Sequence, residues 1–317
     1  MIRNKPEIGI GGCKMTAKKY QIKKWFPLFL MMAPGLIYLF INNYVPMAGL
    51  VVAFKNFNVV DGIFGSPWVG FKNFEYLLKD AFAITRNTLL YNMVFITLNT
   101  VLGIIFAIFI CDVRNKKLKT VYQSAILLPF LMSIVIVSYI TFAFFSADNG
   151  LMNNTILPAL GKEPVAWYQE PKYWPVILVI VNCWKGVGYG CLIYISSITG
   201  IDPVFYEAAE LDGASKWEQI KYITLPSIAP SIITLTLLNI GRIFYADFGL
   251  FYQVTQNSGQ LFSTTNVIDT YVYRGLLQVG NIGMASAAGF YQSVIGFILV
   301  LTANMAVRRF SKENALF

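Results

Sequence analysis

The chain has 317 residues, 56% of them hydrophobic and only 13% charged, about half the charged fraction of roughly 25% usual in soluble domains. That composition excludes an ordinary soluble fold and points to an integral membrane protein. The formal charge is +9 and there is no histidine, which excludes histidine acid–base catalysis and histidine metal sites.

In chain order, residues 1–25 read as a basic arm carrying Arg3, Lys5, Lys14, Lys18, Lys19, Lys23 and Lys24. The apolar run that follows is too long for the core of a signal peptide and lacks a small-residue cleavage site, so it is expected to stay as an anchor. Crossing a hydrocarbon core takes roughly 20 apolar residues, and six runs qualify: 26–52, 87–111, 121–146, 174–199, 227–255 and 283–307. The alternating pattern of barrel strands is absent, which predicts a helical bundle. Pro34 and Pro46, next to Gly35 and near Gly49, predict kinks in the first span.

Basic residues concentrate in the arm, at Arg114, Lys116, Lys117 and Lys119, and at Arg308, Arg309 and Lys312, whereas 53–86, 147–173 and 256–282 are mixed or nearly neutral. By the positive-inside rule, both termini, the 112–120 loop and 200–226 face the cytoplasm. The positive charge therefore reports topology and not nucleic-acid binding. The expected fold is an all-α membrane protein with six transmembrane helices spanning 26–310, its first span peripheral, followed by a cytoplasmic tail at 311–317. The aromatic, Asn- and Gly-rich stretch 53–86 fits either a small folded cap or an interfacial aromatic belt, as does 147–173 with Trp167, Tyr168, Tyr173 and Trp174. The four cysteines have no metal or redox spacing; Cys183 and Cys191 lie about 12 Å apart along one helix, too far to bond.

The stretch 201–230, IDPVFYEAAELDGASKWEQIKYITLPSIAP, is more than a loop requires. Asp202 is an N-cap before Pro203 at the first helical position, so a helix is predicted from Pro203 to Glu210 or Leu211. Gly213 permits a sharp turn, 215–222 forms a second short helix, and Pro226 and Pro230 open span five. Val204, Ala208 and Leu211 share one face, with Tyr206, Ala209 and Glu210 around the other side. The alanines allow another surface to approach closely, and Glu207 and Asp212 supply charge at its rim. A loop lying on lipid headgroups would favour Lys and Arg, but four carboxylates precede the first lysine.

Glu207-Ala208-Ala209, three residues, Gly213, nine residues, Ile223, one residue, then Leu225-Pro226 resembles the EAA signature of the inner-membrane permeases of binding-protein-dependent ABC importers. The kinked first span with APGLIY, the WVGFKNF stretch and NVIDTYVYRGL resemble the carbohydrate-uptake branch, and within it the LplB-type permeases associated with oligosaccharide and polysaccharide fragments. The resemblance implies a type I importer permease fold in the plasma (inner) membrane. It makes the helix bearing Tyr206, Glu207, Ala208, Ala209, Glu210, Asp212 and Gly213 the coupling helix seated on an ATPase. It also implies a second homologous permease, two ATPase subunits, an extracellular or periplasmic solute-binding protein and a carbohydrate substrate. No phosphate-binding loop of the form GxxxxGK[ST] occurs, so ATP and Mg are expected on the partner ATPases, and this chain is expected to bind no cofactor and catalyse no reaction.

Polar residues inside spans mark candidate solute contacts, since a buried charge costs about 2.5–3.5 kcal/mol at a helix centre. Span four offers Asn182, Trp184, Lys185 and Tyr189 among three glycines; span five offers Asn239, Arg242 and Ala246 on one predicted helical face, with Tyr245 beside Arg242; span six adds Tyr291 and Gln292. Aromatic faces stack on sugars and the cations suit a uronate. The structural alternative is that Arg242 pairs with Asp247 or with a carboxylate of a partner subunit, and that the glycines serve close helix packing. A secondary transporter or channel would call for an intramembrane carboxylate relay and an inverted repeat; Asp247 is the one carboxylate placed within a predicted span, and no repeat is evident. An ABC permease for a non-sugar solute remains an alternative within the class. An enzyme acting on lipid-linked sugars would need clustered catalytic carboxylates or a metal pair, which the sequence lacks.

Overall fold

The computed structural model describes residues 10–310; the start of the expected basic arm and the whole 311–317 tail lie outside the described residues. Among those described there is no strand, only an isolated bridge between Lys55 and Trp68. The principal helices are α1 (Ile10–Leu39), α2 (Phe74–Asp112), α3 (Lys116–Leu131), α4 (Ile134–Phe145), α5 (Trp174–Thr199), α6 (Pro203–Leu211), α7 (Lys216–Ile240), α8 (Ile268–Leu277) and α9 (Ile282–Phe310). Five segments are long and apolar enough to cross a membrane: Trp25–Phe54, Phe74–Asp112, Pro171–Thr199, Lys216–Ile240 and Ile282–Met305. The pair α3 and α4, bent by 95°, makes a sixth when counted as one broken span.

Two spans differ from the continuous helices predicted for them. The run 121–146 is two helices meeting at 95°. Pro129 removes a backbone donor in the last turn of α3, and Ser133 accepts from the Val135 N–H to start α4. The run 227–255 is helical only as far as Ile240; residues 241–247 leave the α-helix, and a helical turn resumes at Phe248, where the Asp247 carboxylate accepts from the Leu250 N–H at 3.1 Å. Asn239, Arg242 and Ala246 therefore do not share a helical face. Span two, in contrast, starts earlier than predicted and is a single 39-residue helix, roughly 58 Å long.

The first span is peripheral, as expected: the side chains from Trp25 to Met47 are almost all exposed, and burial begins at Val52 and Ala53. The core is the pairing of α2 with α5. Gly103 lets the Tyr194 ring approach, Asn99 Nδ2 donates to Asn182 Oδ1 at 2.8 Å, and a Cβ on Gly188 would fall 2.1 Å from the Ile126 carbonyl oxygen of α3. Gly188 thus serves close packing, one of the two readings its position allowed. On 147–173 the aromatic residues form a folded cap: Trp174 and Trp167 are buried, Trp174 Nε1 donates to the Trp167 carbonyl at 2.7 Å, and Trp167 Nε1 donates to Asn153 Oδ1 at 2.8 Å. The 53–86 stretch folds around buried Lys55, whose Nζ donates to the Ile63 and Phe64 carbonyls at 2.9 Å.

Gly188→Ala should destabilise the bundle by about 1–3 kcal/mol through overpacking, whereas Gly190→Ala, whose Cβ would meet its nearest atom at 3.9 Å, should be close to neutral. Thermal unfolding in detergent compares the two; equal melting temperatures would mean that α3 and α5 are not packed this closely.

Candidate functional site

The polar stretch between α5 and α7 forms a compact helix-turn-helix. Asp202 Oδ1 accepts from the Val204 N–H at 3.0 Å, and α6 then runs from Pro203 to Leu211, as predicted. Gly213 sits at φ +80°, a left-handed conformation that glycine adopts without penalty. The Ala214 N–H returns to the Ala209 carbonyl at 2.9 Å, which closes the helix end. Ser215 and Glu218 form a reciprocal capping box that starts α7. Tyr206 is half-buried, and its hydroxyl meets Thr224 Oγ1 at 2.9 Å, so α6 is fastened to α7 across the turn.

The outward side of this unit has no partner among the described residues. Val204, Phe205, Leu211 and Trp217 are more than half exposed; Ala208, Asp212 and Gly213 are exposed as well and Ala209 is partly covered, while the exposed Glu207 and Glu210 border the groove on the other side of the helix. Asp202, Glu207, Glu210 and Asp212 form no ion pair among the described residues. Behind α6 lies a groove of about 600 Å³, whose walls include Asp112, Lys119 and Ile198 from the ends of α2, α3 and α5. The arrangement is an exposed apolar patch beside Asp212, with Glu207 and Glu210 at the adjoining groove, built on a short capped helix and suited to burial against another protein.

The second set of candidate residues gathers around the two interrupted spans, with unequal roles. Lys185 Nζ donates to the Phe130 and Met132 carbonyls at 3.1 and 3.0 Å, taking up acceptors freed where α3 ends; a cation at a helix C-terminus also complements its dipole. Tyr189 stacks on Phe130, with ring centroids 5.2 Å apart, and remains half exposed. Trp184 is exposed, as are Asn239, Arg242 and Tyr245. The Arg242 guanidinium makes no hydrogen bond or ion pair among the described residues, and Asp247 does not pair with it. Tyr291 and Gln292 turn inward: the Tyr291 hydroxyl meets Thr85 Oγ1 at 2.8 Å, and buried Gln292 donates to the Phe244 carbonyl at 3.1 Å and to Asp269 Oδ1 at 3.2 Å.

Sequence reasoning did not single out Asn92 or Asp269. Asn92 Nδ2 donates to the Ile243 and Tyr245 carbonyls at 2.9 and 3.1 Å, and Asp269 Oδ2 accepts from the Ala246 N–H at 2.6 Å. An asparagine inside an apolar run was the available signal for the first. Asp269 lies outside the apolar runs; the signal for it was its place in the NVIDTYVYRGL stretch, which reads only as a family resemblance. Among the described residues no cluster of metal-ligating side chains occurs.

The sequence pattern of the family described as "Binding-protein-dependent transport system inner membrane component" matches residues 99–312. The chain belongs to that family. It is thus a multi-pass plasma (inner) membrane protein and a transport permease subunit, not an enzyme. Among similar proteins, Protein LplB of Bacillus subtilis is 33% identical over 92% of this permease and 91% of its own length. The Polygalacturonan/rhamnogalacturonan transport system permease protein YteP of the same organism is also 33% identical, over 95% and 91%. Among solved structures, a chain of a bacterial ABC transporter involved in import of the acidic polysaccharide alginate superposes with a TM-score of 0.83 at 32% identity, covering 93% of this permease and 99% of that chain. The permease therefore has the type I ABC importer permease fold.

Lys185→Met leaves two carbonyls at the α3 break without their donor, and should cost about 1.5–3 kcal/mol, the scale of a hydrogen bond to a charged group. Unfolding in detergent measures it; wild-type stability would return Lys185 to the set of free cations.

Proposed function

We propose that this permease is one of two homologous membrane subunits of an ATP-driven importer that carries an oligosaccharide or polysaccharide fragment into the cytoplasm by alternating access. The observation that supports this reading most is the exposed apolar surface of α6, fastened by the Tyr206–Thr224 contact yet unpartnered among the described residues. In this reading α6 is cytoplasmic and seats on one of two ATPase subunits, which bind ATP and Mg, while this chain binds no cofactor. A solute-binding protein delivers the cargo to the opposite end of the bundle, and Lys or Arg at both termini and in 112–120 remains inside. Surrounding lipid covers the exposed apolar flanks.

The cargo class follows from the relatives and from one cation. The named substrates of two close relatives, polygalacturonan/rhamnogalacturonan and alginate, favour an acidic sugar chain. Arg242, exposed and unpaired among the described residues at the break in span five, is the group best suited to a uronate carboxylate. Tyr245, Trp184 and Tyr189 offer aromatic faces nearby in the pathway, and Asn239 an amide for hydroxyls. Irregular backbone at membrane depth is tolerated where it lines a cavity, which suits 241–247 as pathway wall.

Purification of the tagged permease from its native membranes in mild detergent should bring a second permease and an ATPase with it. Glu207→Lys should release the ATPase with the bundle still inserted, as should Gly213→Val, which forces a β-branched residue into a left-handed conformation costing about 1–2 kcal/mol. Unchanged co-purification from both variants would remove α6 from the ATPase interface, and a lone chain that transports in liposomes would make it a secondary transporter. Arg242→Gln should raise the KM for uptake of an oligogalacturonate by about tenfold or more, roughly the 1.4 kcal/mol of one lost charge-assisted contact. An unaltered KM would exclude Arg242 from solute binding.

A further inference from the structure

Four consecutive residues at the break in span five have a backbone group held by a side chain from another helix. Asn92 of α2 takes the carbonyls of Ile243 and Tyr245. Gln292 of α9 takes that of Phe244, and Asp269 of α8 accepts from the N–H of Ala246 at 2.6 Å. Gln292 gives a second bond to the other Asp269 oxygen at 3.2 Å, so both carboxylate oxygens are used.

Asp269 differs from the other two clamps in where it is anchored. Asn92 and Gln292 stand on long spanning helices, whereas α8 lies at the end of the bundle opposite α6, with Leu276, Leu277 and Val279 exposed at its far end. Tyr273 of α8 packs against Phe248 and Tyr252, with centroids at 4.7 and 4.9 Å. The helix therefore grips the chain on the C-terminal side of the break as well as at Ala246. Burial raises the Asp269 carboxyl above its usual range, while the Ala246 N–H and the Gln292 amide pull it down.

We propose that Asp269 is a positioning residue that ties α8 to the break in span five, so that the load a docked solute-binding protein places on α8 is delivered to Ala246 and to the neighbouring Tyr245 and Arg242. The proposal rests on the importer reading above. Asp269 does not touch the solute; it sets where the pathway residues stand. The geometry requires an acid here: an amide has one acceptor oxygen, so Asn at 269 satisfies the Ala246 N–H or the Gln292 amide but presents its own NH₂ to the other.

The test uses the whole importer, purified with its partner subunits and placed in nanodiscs, with its own solute-binding protein as the probe. In Asp269→Asn, amide hydrogen exchange in peptides covering 241–250 should quicken by about tenfold or more, the factor given by losing roughly 1.4 kcal/mol. ATPase activity without binding protein should stay at the wild-type rate, and its stimulation by binding protein should fall by a similar factor. Faster exchange with full stimulation would reduce Asp269 to a structural group and overturn the proposal, as would unchanged exchange. Tyr273→Leu, which weakens the second grip and leaves the carboxylate in place, should cut stimulation about threefold; full stimulation there also counts against the tie, and this variant decides the matter if Asp269→Asn fails to assemble. Should the wild-type importer show no stimulation, it is the importer reading that fails, and the exchange measurement still reports whether Asp269 holds the break.

Discussion

A backbone carbonyl or N–H at membrane depth has no water to bond, so each one released from a helix must find a protein partner. The structure interrupts two of its spans, and the partners are already in place. Lys185 collects the Phe130 and Met132 carbonyls at the first break; Asn92, Gln292 and Asp269 collect four backbone groups at the second. The rest of the architecture serves to present these side chains. The straight helices α2, α5 and α9 carry Asn92, Lys185 and Gln292. Gly188 lets α5 come close enough to α3 for the lysine at 185 to reach the end of that helix.

The same constraint separates two cations that look alike in sequence. Both Lys185 and Arg242 sit in apolar runs, where an unpaired charge costs several kcal/mol. The Lys185 ammonium recovers part of that cost from two carbonyls and from the Phe130 ring, whose centroid is 5.7 Å away. Arg242 recovers nothing from the described residues, and it is exposed. A free guanidinium at that depth is tolerable only against water, a partner subunit or an anionic solute, so its lack of bonds sets it apart from Lys185, which the fold itself satisfies.

Much of the helix-turn-helix at 202–222 was legible in the sequence because its signals are local. Asp202 before Pro203, Gly213 and the Ser215–Glu218 spacing each specify a cap or a turn, and α6 occupies the predicted residues. The number of spans was also legible, since it depends on length and hydropathy alone. The breaks were not. Averaging over a whole run hides an interruption as short as 132–133 or 241–247, and the groups that stabilise the interruptions come from helices up to about 150 positions away in the chain, such as Asn92 against Ile243. Periodicity therefore placed Asn239, Arg242 and Ala246 on one helical face, although the helix ends between the first two. For the cap at 147–173, composition allowed a folded unit or an aromatic belt; only the Trp174 and Trp167 hydrogen bonds, both to groups within the stretch, distinguish them.

These features connect the two ends of the molecule mechanically. α6 is joined to α5 through only 200–202, and is fastened to α7 by the 212–215 turn and the Tyr206–Thr224 contact. Ser197 of α5 meets Ser231 of α7 at 2.8 Å, so a push on α6 moves α5 and α7 together. From Thr199 back to Lys185, and from Leu225 on to Ile240, the helices extend about 21–23 Å at 1.5 Å per residue. Over that length a tilt of about 5° displaces the far end by roughly 2 Å, and a hydrogen bond stretched from 3 Å by that much is broken. One lever arm carries Lys185 at the break in span three, and the other ends at the break in span five. A displacement of α6 would therefore be felt at both interruptions, because α5 passes the first at Lys185 and α7 ends at the second.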